Sequence, residues 1–295
     1  MKNRSIIITL IILLSIISIA LILLMIGLIN NRFRFPFFNF NYDLMDDLVL
    51  DEIYDTHFEQ IKIEADASMI DIQTSLDDKV RVVVYGKKEN TRVEATNSEL
   101  KIKSKEKKCV GFCFNFKVSK VEVYLPENYD QKITITNKFG DIEIAELLSA
   151  DIQIEEDCGD VNVKGANTVK ISNSYGDIHL EKANIATIDA KAGDVKIGII
   201  NEVTVNNAYG DIKITEVNRY LNLKDNCGDI KIERINLNKN SFITNDLGDI
   251  KIGSTNEIYI DAKTDLGDVN INHNYHKSDI TLKIENDCGD IKVSN

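Results

Sequence analysis

The sequence has few of the residues that break strands, stack on sugars or carry positive charge. Its 295 residues include two prolines and no tryptophan, which excludes a proline-rich linker and a tryptophan-lined sugar platform. The formal net charge is −12, which argues against nucleic acid because phosphate binding requires a basic surface. Only four histidines occur, and none stands in a zinc-ligand or nucleophile motif. We therefore predict a protein that is not an enzyme and holds no cofactor.

The cysteines do not predict a disulfide framework. Cys158, Cys227 and Cys288 each stand directly before a Gly-Asp pair, and the strands between them would hold their Cα atoms further apart than the roughly 7 Å that a disulfide allows. We predict that these three are unpaired, small core residues. Cys109 and Cys113 could pair only if the chain between them turns, because an extended strand would hold them about 13 Å apart. The sequence is compatible with either a disulfide or two thiols there.

A long apolar run lies near the start of the chain. Residues 6–29 contain no charged residue and as a helix would span roughly 36 Å, enough for a bilayer core. The alternative is a cleavable signal peptide, but its apolar region should be about 7–15 residues long and end in small residues. We predict a transmembrane helix at 6–29, a cytoplasmic tail at 1–5 and an aromatic and acidic juxtamembrane linker at 30–54. Basic residues flank the helix almost equally, so charge alone does not settle its orientation.

A Gly-Asp pair recurs through the second half of the chain. Its nine copies lie 17 to 22 residues apart, and a fixed period of this size is typical of a solenoid. The glycines are Gly140, Gly159, Gly176, Gly193, Gly210, Gly228, Gly248, Gly267 and Gly289. Most have an apolar residue five positions earlier, at Ile135, Ile154, Ile171, Ile188, Val205, Leu223, Ile243 and Ile284. Another core-type residue directly precedes each glycine, at Phe139, Cys158, Tyr175, Ala192, Tyr209, Cys227, Leu247, Leu266 and Cys288.

After each Gly-Asp pair, apolar and polar residues alternate, as at Ile178 and Leu180. Period-two alternation predicts a strand with one buried face, and glycine permits the corner between two strands. We predict an all-β fold, a single β-solenoid (β-helix) of serial Gly-Asp-Ile repeats preceded by one N-terminal transmembrane helix. The solenoid is expected to cover 55–295, with an irregular N-terminal part at 55–130 and the Gly-Asp repeats at 131–295.

Stacking of the repeats has two further consequences. The asparagines three residues before the glycines would form an inward, hydrogen-bonded ladder: Asn137, Asn173, Asn207, Asn245 and Asn286. The last repeat would be the open end of the solenoid. Its charged residues, Lys283, Glu285, Asp287 and Lys292, would blunt the unpaired edge, although strand addition by a partner is the alternative.

The order of the strands resembles a known family. Residues 61–64, 80–86, 100–103 and 121–126 give alternating strands and a Leu-Pro step before the serial repeats. After an N-terminal apolar helix, this order resembles the bacterial "putative adhesin" β-strand-repeat family, also called toastrack-type domains, over roughly residues 55–295. The resemblance implies a β-solenoid of the bacterial cell envelope, often outside the membrane, that in some members occurs with envelope-stress and two-component systems. The family has no established catalytic residues, so none is carried over.

The aspartates that follow the glycines predict a column of like charges, which repel at about 5 Å. They are Asp141, Asp160, Asp177, Asp194, Asp211, Asp229, Asp249, Asp268 and Asp290. Lysines two residues later on the same face would offset this charge, as would hydrogen bonds to the backbone of the turn; they are Lys196, Lys213, Lys231, Lys251 and Lys292. We predict no metal site. Calcium is the alternative, with candidate ligands Asp246, Asp249, Asp265, Asp268, Asp287 and Asp290.

These features predict a membrane-anchored cell-envelope β-solenoid that acts as a non-catalytic, adhesin-like binding scaffold. Its expected partners are the membrane, through the N-terminal helix, and a surface polymer or protein ligand, with no nucleic acid. The alternative is an accessory in envelope-stress sensing that works with a membrane regulatory partner or a two-component system. We expect a single-pass protein of the cell membrane whose solenoid is extracytoplasmic. The ligand, the handedness and the oligomeric state do not follow from the sequence.

Overall fold

The computed structural model describes residues 43–105 and 117–294. The predicted tail and transmembrane helix lie outside the described residues, as do most of the predicted linker and both Cys109 and Cys113. Within the described ranges, no helix has the length and apolar character needed to cross a membrane. The described chain is all-β, with one short 3-10 helix at Lys88–Asn90.

The strands fall into three groups along the chain. Nine precede the first corner: β1 Asp43–Leu44, β2 Leu48–Tyr54, β3 Gln60–Ala65, β4 Ser68–Ser75, β5 Val80–Tyr85, β6 Thr91–Ala95, β7 Glu99–Ser104, β8 Lys117–Pro126 and β9 Lys132–Asn137. Five long strands follow: β10 Ile142–Cys158, β11 Val161–Tyr175, β12 Ile178–Ala190, β13 Val195–Asn207 and β14 Ile212–Cys227. Seven complete the chain: β15 Ile230–Ile235, β16 Ser241–Leu247, β17 Ile250–Thr255, β18 Tyr259–Leu266, β19 Val269–Ile271, β20 Thr281–Cys288 and β21 Ile291–Val293.

The long strands stack in parallel, and equivalent positions of successive repeats lie side by side. Ile178 of β12 lies between Val161 of β11 and Val195 of β13. The alternating residues after each corner are buried through most of the stack, as are the eight apolar residues five positions before a glycine. These side chains belong to one continuous apolar core. The predicted β-solenoid and the predicted alternation of buried residues are confirmed.

The same core extends through the N-terminal strands. β3 and β4 stack in parallel on β9 and β10, and β7 and β8 stack in turn on β3 and β4. The antiparallel strands β2, β5 and β6 then cover this end. The prediction that the linker runs to residue 54 was wrong, because β2 pairs with β5 and packs Leu50 and Tyr54 against the core.

The order of the repeats is inverted at the C-terminal end of the stack. β20 pairs with β16 on one side and with β18 on the other, and β21 lies in the same way between β17 and β19. The last repeat is therefore inserted between its two predecessors, and β18 and β19 form the terminal rung. The prediction that the last repeat is the open end was wrong. The inversion buries the larger apolar residues, because Ile284 and Ile291 of the inserted repeat stand where the terminal rung has Ala262 and an exposed Val269.

The corners stack closely through the glycines. The N–H of Gly176 donates to the carbonyl oxygen of Ala192 at 3.0 Å, and the N–H of Gly193 donates to that of Tyr209 at 2.9 Å. Gly193 has φ of 141°, which L side chains rarely adopt. A Cβ added there would collide with the carbonyl oxygen of Gly176 in the preceding corner. Glycine is thus required both for the backbone angle, as the sequence predicts, and for the close approach of successive corners.

The side chain before each corner glycine points out of the core. Tyr175 and Tyr209 are 63% and 65% exposed, and Leu247 and Leu266 are also exposed. Cys158 and Cys227 are exposed free thiols, and Cys288 is a partly buried one. The prediction that these three cysteines are unpaired is confirmed, but the prediction that this position belongs to the core was wrong. In an unbroken strand the residue before the glycine would face the core. The corner at the glycine interrupts the alternation, so this side chain faces solvent instead.

The predicted asparagine ladder is confirmed as an inward one, but its bonds run to the backbone. The amide of Asn173 donates to the carbonyl oxygens of Gly159 and Gly176, at 3.0 and 3.1 Å. All five asparagines are buried, and each leaves its Oδ1 without a hydrogen-bond partner among the described residues. Each amide therefore ties the backbone of its own corner, the preceding corner or both, rather than the next asparagine.

Two carboxyl groups occupy the same inward slot. Glu156 is 3% exposed and lies in register between Asn137 and Asn173. Asp225 is 0% exposed and lies between Asn207 and Asn245. Burial raises the pKa of Glu156 to about 8, although the backbone N–H of Cys158 opposes the shift. Burial also raises the pKa of Asp225 to about 6, and the nearby acids Asp211 and Asp246 add to the shift. Folding therefore shifts both groups toward the protonated form relative to the unfolded chain.

The stability of the solenoid should fall as pH rises through these two pKa values. A raised carboxyl pKa stabilises the fold below the unfolded pKa, near 4, and this contribution is lost between there and about pH 6 for Asp225 and about pH 8 for Glu156. Glu156→Gln and Asp225→Asn remove the ionisation and supply N–H donors to neighbouring amide oxygens. We expect the double variant to gain on the order of 2 kcal/mol at about pH 9.

Thermal unfolding of the full chain, followed by circular dichroism between about pH 5 and about pH 9, measures this effect. The wild type should lose melting temperature across the range, while the double variant changes little. Glu155→Gln, an exposed neighbour, is the control and should keep the wild-type profile. A double variant that retained the wild-type pH dependence would contradict the assignment.

The corner packing gives a second stability prediction. Gly193→Ala should lower the free energy of unfolding by roughly 3 kcal/mol, because the new Cβ would clash with backbone atoms, which cannot rotate away as a side chain can. Lys191→Ala, two residues away and exposed, should change it by less than about 0.5 kcal/mol. Urea unfolding of both variants measures the difference, and equal stability would mean that the corners can separate to accommodate a side chain.

Candidate functional site

One outward-facing position forms a column along the whole solenoid. It is the residue two positions after each corner aspartate, extended in register through β4 and β8. We call this set the charge column. In spatial order it runs Glu122, Asp71, Glu143, Asn162, His179, Lys196, Lys213, Lys231, Lys251, Lys292 and Asn270. Each neighbour lies on an adjacent strand, at a spacing of about 4.8 Å.

The charge column changes sign along its length. Three acids occupy the N-terminal end, asparagine and histidine follow, and five lysines occupy consecutive rungs. Like charges at this spacing repel, so the five stacked lysines depend on nearby negative charge to offset their repulsion. The lysines were predicted from the repeat, but Glu122 and Asp71 were not, because they lie outside the Gly-Asp repeats. Glu143 follows the first Gly-Asp pair in the lysine slot, so alignment of the repeats could have found it.

A column of aspartates runs beside the lysines, and the backbone of the next rung satisfies it. The N–H of Asp194 donates to Oδ1 of Asp177 at 2.9 Å, and the N–H of Asp211 donates to Oδ1 of Asp194 at 3.0 Å. The same bond joins each further pair of neighbouring corners. Backbone donors therefore compensate the stacked carboxylates, as predicted, although the donor belongs to the adjacent rung rather than to the same turn.

The lysines divide into two kinds. Lys213 and Lys251 donate to Oδ2 of Asp211 and Asp249, each at 2.9 Å. The Lys213 ammonium, with the backbone N–H of Asp229, holds the pKa of the Asp211 carboxyl below its usual value. The remaining three, Lys196, Lys231 and Lys292, are exposed and form no ion pair with any described residue. Paired and unpaired lysines therefore alternate, and the unpaired ones lie about 10 Å apart.

The face beside the lysines is open and shallow. A surface depression of about 260 Å³ is lined by His179, Lys196, Lys213 and Lys231, with Gly198, Thr215 and the acidic Glu233 on the adjoining outward position. The depression can receive charged groups of an extended ligand. It does not enclose a small molecule or exclude water from one, as catalytic and cofactor sites do.

The calcium candidates lie on three neighbouring rungs at the C-terminal end. Asp246, Asp265 and Asp287 are exposed. Their counterparts after the glycine are engaged in the aspartate column, where Asp249 accepts the N–H of Asp290 and Asp290 accepts that of Asp268. Among residues 43–105 and 117–294, no three histidine, cysteine, aspartate or glutamate side chains converge in a metal-holding arrangement. The six aspartates share this part of the surface but are not brought together around one point.

Comparison of the sequence with protein families gives two matches to one family, Toastrack DUF4097, at residues 58–197 and 187–295. Together they span most of the chain, including every Gly-Asp corner. The chain belongs to this toastrack family. The resemblance inferred from the strand order and the serial corners is therefore confirmed. No curated protein matches the toastrack chain.

Several solved structures are similar to this toastrack protein at low identity. A "putative lipid binding protein" from Parabacteroides distasonis is 12% identical and covers 85% of this chain and 100% of its own, with a TM-score of 0.48. A "putative adhesin" from Bacteroides fragilis is 18% identical and covers 86% of this chain and 99% of its own, with a TM-score of 0.44. At these values the likenesses carry no argument about ligand or activity.

Proposed function

We propose that this toastrack protein is a non-catalytic scaffold of the cell envelope that binds a linear anionic polymer through the lysines of the charge column. The observation that carries the proposal is the run of five lysines on consecutive rungs of a protein with a net charge of −12. The repulsion within such a run is relieved when a ligand brings negative charge to it. This is the adhesin-like role that the sequence predicts, with the ligand class specified.

The chemistry of the column favours an extended ligand over a small one. Five lysines at the strand spacing extend over about 19 Å, so a chain of regularly placed phosphate or carboxylate groups can contact several at once. The neighbouring aspartates use one carboxylate oxygen for the backbone of the next rung. The longer lysine side chains reach further from the sheet and present the outer layer of charge. Each contact on such an open face is weak, and binding should therefore depend strongly on salt.

The membrane anchor and the cellular location belong to the same proposal. The apolar run at 6–29 supports a single-pass anchor in the cell membrane. We place the solenoid on the extracytoplasmic side as part of the same proposal. The role in envelope-stress sensing is the alternative, in which a membrane partner responds to ligand binding by the solenoid. No contact among the described residues favours that alternative, and it stays a prediction.

The lysines without an ion pair provide the binding test. The triple variant Lys196→Gln, Lys231→Gln and Lys292→Gln should weaken binding of the full chain to poly(glycerol phosphate) by at least tenfold, because roughly half a kcal/mol is lost per removed contact. The matched control changes Lys170, Lys191 and Lys224 to glutamine. These lysines are also exposed and alter the net charge equally, but they lie outside the charge column. Their affinity should stay within about twofold of the wild type.

Fluorescence anisotropy of the labelled polymer, at low and at physiological salt, measures both sets of variants, with neutral dextran as the negative ligand. Equal loss of affinity in the two triple variants would show a general charge effect and contradict a defined site. Absence of polymer binding by the wild type would overturn the proposed ligand.

Protease added to intact cells tests the location. With a tag at the C-terminus of the chain, an outward-facing solenoid should lose the tag while a cytosolic control protein stays intact. Survival of the tag until the cells are lysed would place the solenoid in the cytosol and remove the envelope role.

A further inference from the structure

The terminal rung has one open edge. The N–H of Tyr259 donates to the carbonyl oxygen of Ile280 at 2.9 Å, towards the stack. The backbone groups of the next residue, Ile260, point away from the stack. Its N–H donates to Oδ1 of Asn274 and its carbonyl oxygen accepts from Nδ2 of Asn274, each at 2.8 Å. Because backbone N–H and C=O groups alternate in direction along a strand, those of Ala262 and Thr264 also point toward the open edge. Within the part of the chain that the structure describes, β18 pairs only with β20 and β19 only with β21.

The open part of this edge has self-complementary charge. Asp261, Lys263 and Asp265 are exposed on the solvent face of β18 and alternate in sign. Uniform charge on an edge strand prevents pairing, because like charges meet when two copies approach. An alternating edge behaves differently. When two copies of β18 pair antiparallel about Thr264, Lys263 of each lies opposite Asp265 of the other. This register leaves the bonds between Asn274 and Ile260 in place.

We infer that two copies of this chain associate through their terminal rungs, by antiparallel pairing of β18 about a twofold axis at Thr264. The pairing satisfies the outward backbone groups of Ala262 and Thr264 and forms two symmetry-related Lys263–Asp265 contacts. It also covers apolar surface, since Leu266 at the end of β18 is 71% exposed and Val269 of β19 is 43% exposed. Within one chain Lys263 already lies 3.2 Å from Glu285, which orients its ammonium on this face.

This edge and the start of the described chain lie at opposite ends of the stack, because the chain begins at β1, which pairs with β8. The association itself stands on the contacts of β18.

Charge reversal with rescue tests the pairing. Sedimentation velocity of the full chain in detergent should show a concentration-dependent dimer. Lys263→Glu places acid opposite acid and should weaken the dimer roughly tenfold. Adding Asp265→Lys to that variant restores opposite charges only in the register about Thr264, and it should return the affinity to within about threefold of the wild type.

Each outcome decides the inference. A monomeric wild type, or a dimer that Lys263→Glu leaves unchanged, would overturn it; such a dimer would form through another surface. Failure of the Asp265→Lys rescue would refute the Thr264 register. Circular dichroism of each variant checks that the solenoid is folded. Polymer binding by the same variants should be unchanged because the charge column is intact, so the two proposals fail independently.

Discussion

The close approach of successive glycine corners is the constraint on which the rest of the molecule depends. The glycine N–H of each corner donates to a backbone carbonyl oxygen of the next rung, and the aspartate carboxylate of each corner accepts the aspartate N–H of the next. Hydrogen bonds therefore join neighbouring rungs in both directions. A Cβ at Gly193 would hold the corners apart. Once the corners fix the register, every other position becomes a column at the strand spacing. The buried core, the inward amides and the outer lysines are consequences of that register.

The repeat in the sequence predicts most of this arrangement because one constraint is copied nine times. The corner glycines, the buried alternation around Ile178, the inward asparagines and the lysine slot all follow from the period. Two features do not. The residue before each glycine is apolar, but Tyr175 and Tyr209 are exposed because the corner reverses the alternation. The spatial order of the last two repeats also cannot be predicted from the period, because the period identifies equivalent positions but not which repeats are neighbours in the stack.

Stacking makes each column uniform by default, so the departures from uniformity locate specific roles. The charge column begins with acids and carries lysine on five consecutive rungs before the terminal Asn270, although the corners beside it carry aspartate throughout. The inward column is mostly asparagine, yet Glu156 and Asp225 replace it at two rungs and leave carboxyl groups in an apolar core. The first departure concentrates positive charge on one half of a face. The second makes the stability of two particular rungs depend on pH, because folding raises the affinity of these two carboxyl groups for a proton.

A stack of equivalent rungs contains nothing that limits its own length, so each end requires a separate structural solution. At the N-terminal end, antiparallel β2, β5 and β6 cover the parallel strands. At the other end, the last repeat inserts inside the stack and leaves its predecessor outermost. The outermost repeat has Ala262 and Val269 where interior repeats have larger or more deeply buried apolar residues. Insertion therefore buries the more apolar repeat and exposes the less apolar one, as the hydrophobic effect favours. It also leaves at the surface a strand whose charges alternate in sign, and such an edge is compatible with a second copy of itself in a way that a uniformly charged edge is not.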